Sequence, residues 1–243
     1  MGDALWIDGL DVSGDTGALS RIACPLTTQD TTAINQSAHA RIGLLHDGAI
    51  DFLSYWNPGV GADQAHTVYK GLPRTDRAVQ YCRGTTLGAP AASMIGKQIG
   101  YDGNRPIDGS FTLQVNAVAN GYGLEWGQLL TVGKQTHTSG ANGTSVDTGI
   151  VSTAFGWAMY LHVFAFTGTS VTIKVQDSAN DSAWLDLASA TFSAASAVGS
   201  QRVSAGPTST ATVRRYLRFV SSGTFSSATF GVNFVRYEAG GHQ

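Results

Sequence analysis

The chain has 243 residues, of which 42% are hydrophobic and only 13% charged, with 30 glycines and a net charge of −2. The charged share is about half the usual one, and a net charge of −2 gives no general attraction to nucleic acid, which needs clustered Lys/Arg. No run approaches the length needed to span a bilayer as a helix, and the apolar content suffices for one large β domain or two small ones.

The opening residues, Met1 to Trp6, carry neither a basic nor an apolar leader segment. A protein made in a cytoplasm is expected. From Leu5 to Leu26 the chain alternates and turns: Asp8-Gly9 and Gly14-Asp15 are turn chemistry, and Leu19 to Cys24 has period two, the mark of a half-buried strand. Ser37 to Leu45 reads as a short helix that stops at His46-Asp47-Gly48. Asp47-Gly48 is a tight-turn signal, which predicts a positive φ at Gly48. It feeds a strong strand, Ala49 to Trp56.

Asp63 to Lys70 reads as a second short helix with Gly71 just beyond it. Strands follow at Arg77–Arg83, whose two faces are not cleanly separated, and at Ala91–Tyr101. Ser110 to Ala119 is the clearest strand: Phe111, Leu113, Val115 and Ala117 face one way, and Thr112, Gln114 and Asn116 the other. Gly133 to Gly149 is Gly/Thr/Ser/Asn-rich with almost nothing apolar, the composition of a linker across which few contacts should pass. Beyond it the chain is all strand: Gly156–Phe166, Ser170–Ser178, Trp184–Asp186, Ala190–Phe192, Ala211–Val220 and Ala228–Tyr237, separated by Gly/Ser turns. Short strands at this spacing make a β-sandwich.

Motifs for catalysis do not occur: there is no His-Glu-x-x-His, P-loop or Gly-x-Ser-x-Gly. The histidines are dispersed, and His162 in an apolar strand reads as a core histidine. Asp8, Asp11 and Asp15 read as turn and cap residues rather than calcium ligands, and Asp177 to Asp181 as a hairpin turn. Cys24 and Cys82 read as buried free thiols. The sequence thus points to no catalytic residue, no cofactor, no metal and no enzyme. One surface patch is a candidate ligand site: Arg214, Tyr216 and Arg218 share a strand face, while Arg215 points the other way. It is either a basic-aromatic patch for sugar or anion or a solvated sheet face with ion pairs. Trp126, Trp157 and Trp184 are either sugar platforms or core residues.

Four stretches in order resemble the tail tube (major tail) proteins of long, non-contractile phage tails. They are Asp11 to Thr16, Leu44 to Phe52, Gly84 to Ala91, and Ile107 to Ala117. The first looks like the family's opening strand and turn, the second its helix-loop-strand passage, the third its Gly-Ala-Pro turn, and the fourth its late strand. The resemblance covers roughly residues 5–130. It implies a mainly β fold: a tail-tube-like β-sandwich or barrel with one or two short flanking helices, followed by a second all-β sandwich. The domains expected are 1–140 forming the ring, a linker at 141–149, and an immunoglobulin-like or carbohydrate-binding-like sandwich at 150–243.

The function the resemblance implies is a virion subunit, made in the host cytoplasm, whose stacked hexameric rings form a tail tube. Its expected partners are further copies of itself, other phage tail proteins, double-stranded DNA passing through the lumen without specific binding, and a cell-surface glycan on the C-terminal domain. Two alternatives share the composition: a capsid decoration or head-fibre protein, and a carbohydrate-binding module.

Overall fold

A computed structural model describes residues 2–59, 61, 64–71, 75–206 and 212–237. Their regular secondary structure is almost entirely strand. In chain order the elements are β1 (Ala4–Ile7), β2 (Leu10–Asp11), β3 (Thr16–Ala23), β4 (Leu26–Asp30), β5 (Arg41–His46), β6 (Ala49–Tyr55), α1 (Ala65–Tyr69), β7 (Arg77–Cys82), β8 (Pro90–Asn104) and β9 (Thr112–Ala119). They continue with β10 (Glu125–Leu129), β11 (Gln135–His137), β12 (Val146–Thr153), β13 (Trp157–Ser178), β14 (Leu185–Thr191), β15 (Gly199–Ala205) and β16 (Val213–Arg236). The mainly β expectation holds.

In the first half the strands lie in the order β3-β6-β9-β8-β7-β1-β2, all neighbours antiparallel. The β1–β2 connection is a two-residue hairpin turn, with Asp8 at φ 49° and Gly9 at φ 79°. This is the Asp-Gly geometry that matches strand twist. The sheet curls around a core of Leu5, Ile50, Phe52, Val79, Met94 and Val115, which α1 closes with Ala65 and Tyr69. The short helix expected at Asp63–Lys70 is α1; Asp63 itself lies outside the described residues. It is capped from a distance: the Asp15 carboxylate accepts the Ala65 N–H at 2.9 Å and the Asn57 side-chain amide at 2.9 Å.

The second half is built on one long ladder. β13 (22 residues) and β16 (24 residues) pair antiparallel from Trp157↔Arg236 to Ser178↔Tyr216, with bulges between Val163 and Ser170. Residues on both sides of these bulges, Leu161 and Ile173 of β13 with Phe219 and Phe230 of β16, share one core. β14 and β15 add to the two ends of β13, and β11 and β12 to β16. The four strands expected at 156–166, 170–178, 211–220 and 228–237 are therefore two. Ser221, Ser222 and Gly223 look like a turn but continue the ladder, opposite Ile173, Thr172 and Val171. The interior holds Trp157, Met159, Leu161, Ile173, Phe219 and Phe230.

Three expectations are corrected. Ser37–Leu45 is not a helix: Arg41–His46 is β5, paired with β4 through Gln29↔Ile42 and Asp30↔Arg41. Gly48 does not lie in the left-handed region. Glycine is required there because a Cβ would stand 2.7 Å from the Leu124 nitrogen. The stretch 133–149, including the expected linker 141–149, is not a free connector. β11 and β12 pair with β16, and Gly143 N–H donates to the Phe219 carbonyl at 2.9 Å. Backbone ladders need no apolar side chains, so a Gly/Thr/Ser composition did not exclude strand.

Nor are the halves separate. β10 bridges them, pairing with β8 on one side and β16 on the other. The outer face of β13, Ala158 and Tyr160, packs on Ala78 and Ile95 of the first half. Trp6 is wholly buried beside Phe164 and His162. This double burial explains two features of the sequence: the uninterrupted apolar run at 156–166 and the unseparated faces of Arg77–Arg83.

Candidate functional site

The β3–β6 pairing continues beyond the sheet as the β4–β5 ribbon, linked by the Asp47 N–H donating to the Pro25 carbonyl at 2.9 Å. Among the described residues the ribbon pairs with no third strand. Every residue of β4 and all but His46 of β5 are exposed. Its tip is ordered by Asp30, whose carboxylate accepts the Thr32 N–H at 2.9 Å and meets His39 Nδ1 at 3.0 Å. An isolated two-stranded ribbon is marginal in water. This one also presents Leu26, Ile34, Ile42, Leu44 and Leu45 to solvent, with Ile42 55% and Leu45 80% exposed.

A second apolar group lies at the far end of the same sheet. Tyr55 is 54% and Trp56 37% exposed, and Ile107 in the β8–β9 connection is fully exposed. The row Tyr55↔Thr112↔Asn104 places these residues together at that edge. The Trp56 ring sits 4.3 Å from His66 and 5.1 Å from Phe111 (centroids), and His66 Nδ1 meets the Tyr101 hydroxyl at 2.7 Å. Arm and patch are separated by the seven residues of β6, about 20 Å at strand rise.

The patch at Arg214, Tyr216 and Arg218 shares a face as expected, but its donors are engaged. Arg214 pairs with the nearly buried Asp177 at 3.1 Å. Arg218 donates to Gln176 Oε1 at 2.7 and 3.0 Å and lies over the Trp184 ring at 4.3 Å. Gln176 in turn donates to Asp186, which Lys174 also reaches at 2.7 Å. Arg215, on the other face, pairs with Asp147 at 2.8 Å, and that guanidinium, with the Gly149 N–H, holds the Asp147 carboxyl at about 2. Of the tryptophans, Trp157 is core and Trp184 is covered by Arg218, while Trp126 is about half exposed.

Among the described residues no group of three or more His, Cys, Asp or Glu is placed to hold a metal. Asp8 pairs with Arg77, Asp11 with Lys134 at 2.5 Å, and Asp15 caps α1. Cys82 is buried, which pushes its thiol up to about 12, but Cys24 is exposed, contrary to expectation, with its thiol directed at the Leu124 carbonyl. A cavity of about 190 Å³ beside α1 is lined by Phe52, Val68 and Val79 together with Asp8 and Arg77, which pair with each other. The sequence had no signal for the arm: its Leu and Ile side chains suit a core as well as a surface.

No protein-family model and no curated protein matches the chain. Among solved structures, the SPP1 Dit (gp 19.1) protein, described as a paradigm of the hub adsorption apparatus in phages infecting Gram-positive hosts, is similar. The identity is 13% over 97% of this chain and 100% of that one, with a TM-score of 0.35. The phage p2 baseplate in its activated conformation is similar in its strontium form at 8% identity over 97% of this chain and 99% of that one, TM-score 0.35. Its calcium form gives 8%, 98%, 99% and 0.34. Likenesses of this size carry no role over to any residue here.

Proposed function

We propose that this chain is a non-enzymatic structural subunit of a phage tail that associates head to tail into rings through the β4–β5 arm. The carrying observation is the arm itself: a ribbon that pairs with no third strand among the described residues and exposes five large aliphatic side chains. The apolar group around Tyr55, Trp56 and Ile107 supplies a different surface at the opposite end of the same sheet. Two unlike surfaces favour a heterologous contact, which closes into a ring or runs on as a filament, over a two-fold dimer. The order of three of the tail-tube-like stretches, Asp11 to Thr16, Gly84 to Ala91 and Ile107 to Ala117, supports the phage-tail setting, whereas Leu44 to Phe52 is strand-turn-strand and does not. Low charge suits a subunit largely covered by neighbours, and a net charge of −2 suits a channel through which DNA slides.

Within this reading the chain builds stacked hexameric rings of a tail tube. A single ring at the tail tip uses the same head-to-tail contact and differs only in stacking. The test is electron microscopy and light scattering of the purified chain, beside Ile42→Asp/Leu45→Asp. Rings or tubes that dissolve into folded monomers in the double variant are expected. A wild-type chain that stays monomeric at high concentration contradicts the proposal, and single unstacked rings move it from tube to tip.

A further inference from the structure

The β1–β2 turn is pressed onto the second half at a single buried histidine. The Gly9 N–H donates to His162 Nδ1 at 3.2 Å, across 153 positions of sequence. Gly9 lies so close that a Cβ there would stand 2.4 Å from the Val163 carbonyl oxygen and 2.7 Å from the Gly199 nitrogen. The neighbouring Asp8 donates its N–H to the Ala78 carbonyl at 2.9 Å, and its carboxylate accepts the Ser200 hydroxyl at 2.7 Å and pairs with Arg77. The His162 ring is wholly buried, with Trp6 at 5.8 Å and Phe164 at 6.1 Å, and its Nε2 has no hydrogen-bond partner among the described residues.

This arrangement accepts only one protonation state. Neutral imidazole offers Nδ1 as an acceptor. With Nδ1 accepting, the neutral ring already carries its proton on Nε2; protonation adds one at Nδ1, which would face the Gly9 N–H, donor against donor, and places a charge in a buried ring. We propose that His162 is a proton-operated clasp, closed while the ring is neutral, whose protonation releases the β1–β2 turn from the second half of the protein.

The charged groups around the clasp do not rescue the cation. On the turn stands Asp8, already shared by Arg77 of β7 and Ser200 of β15. Lys134, 5.7 Å from the Phe164 ring, is paired with Asp11. β16 contributes Gly231 opposite the histidine. Each charge is matched, so no net negative field favours the imidazolium. Burial depresses the ring's pKa to about 3. A histidine released into water titrates near about 6.5. The folded value being the lower, the clasp is at full strength above about pH 6.5 and weakens as pH falls toward 3, about tenfold per pH unit for one proton.

Hydrogen exchange by mass spectrometry on the full chain, corrected for intrinsic rates, tests this. Between pH 6.5 and 4.5 the protection of the segment around Gly9 should fall about tenfold per pH unit, while the segment around Phe192 stays protected. His162→Asn, which presents a side-chain oxygen near the Nδ1 position but does not titrate, should abolish the slope. Flat protection around Gly9 in the wild type, or an equal slope in His162→Asn, overturns the clasp. Should that variant fail to fold, the wild-type slope decides alone: one proton per opening supports it and none overturns it.

Discussion

Arg202 and Glu125, separated by 77 positions, meet at 2.8 Å in an ion pair of which 6% and 13% of the respective side chains remain exposed. The pair joins β15 to β10 and so ties the second half to the first. The Tyr237 hydroxyl donates to Glu125 Oε1 at 2.6 Å, the Tyr160 hydroxyl donates to Oε2, and the Tyr122 ring lies 3.7 Å from the guanidinium carbon. Burial alone would lower the arginine's pKa. The bond to Glu125 more than reverses this, so Arg202 stays charged.

Glu125→Ala strands a buried guanidinium and two phenols without their acceptor. Removing one partner of such a pair costs about 3–5 kcal/mol, which lowers the melting temperature by on the order of 10 °C in a chain of this size. Glu125→Gln keeps an acceptor and should cost less. Calorimetry of the three proteins checks the order.

Just beyond the bulged stretch of the long ladder, Gly223, opposite Val171, has φ 126°, and a Cβ there would lie 2.3 Å from the Ser170 carbonyl oxygen. Gly223→Val combines a disfavoured backbone with a backbone clash and should destabilise by roughly 3 kcal/mol. Urea denaturation of the variant should show a lowered midpoint.

Asp15→Ala removes the distant cap of α1 and the partner of Asn57. A loss of about 1 kcal/mol is expected. Exchange should become faster at Ala65 and its neighbours and stay unchanged in the β13–β16 ladder.

A chain ending near Gly140 loses β13, β15 and β16, uncovering Trp6, Ala78 and Leu129 and leaving β10 with one neighbour instead of two. It should aggregate or melt without cooperativity. A soluble fragment with a sharp thermal transition would show that the seam between the halves is dispensable.

What sequence alone determined is local. The alternation from Thr112 to Ala119 and the Asp8-Gly9 turn follow from the two-residue period of strands and from the left-handed tolerance of Asp and Gly. The shared face of Arg214, Tyr216 and Arg218 follows from the same period, but the Asp177, Gln176 and Trp184 that engage it arrive from other parts of the fold. Tertiary structure decided the rest. Arg41–His46 became a strand because β4 offered it a ladder, against a composition tolerant of helix. Residues 133–149 joined the sheet because β16 is long enough to pair with them, and backbone hydrogen bonds are indifferent to side-chain hydrophobicity. The apolar run at 156–166 announced burial on both faces without naming what covers the outer one. That cover is Trp6, Ala78 and Ile95, remote in sequence, and only the folded chain brings them there.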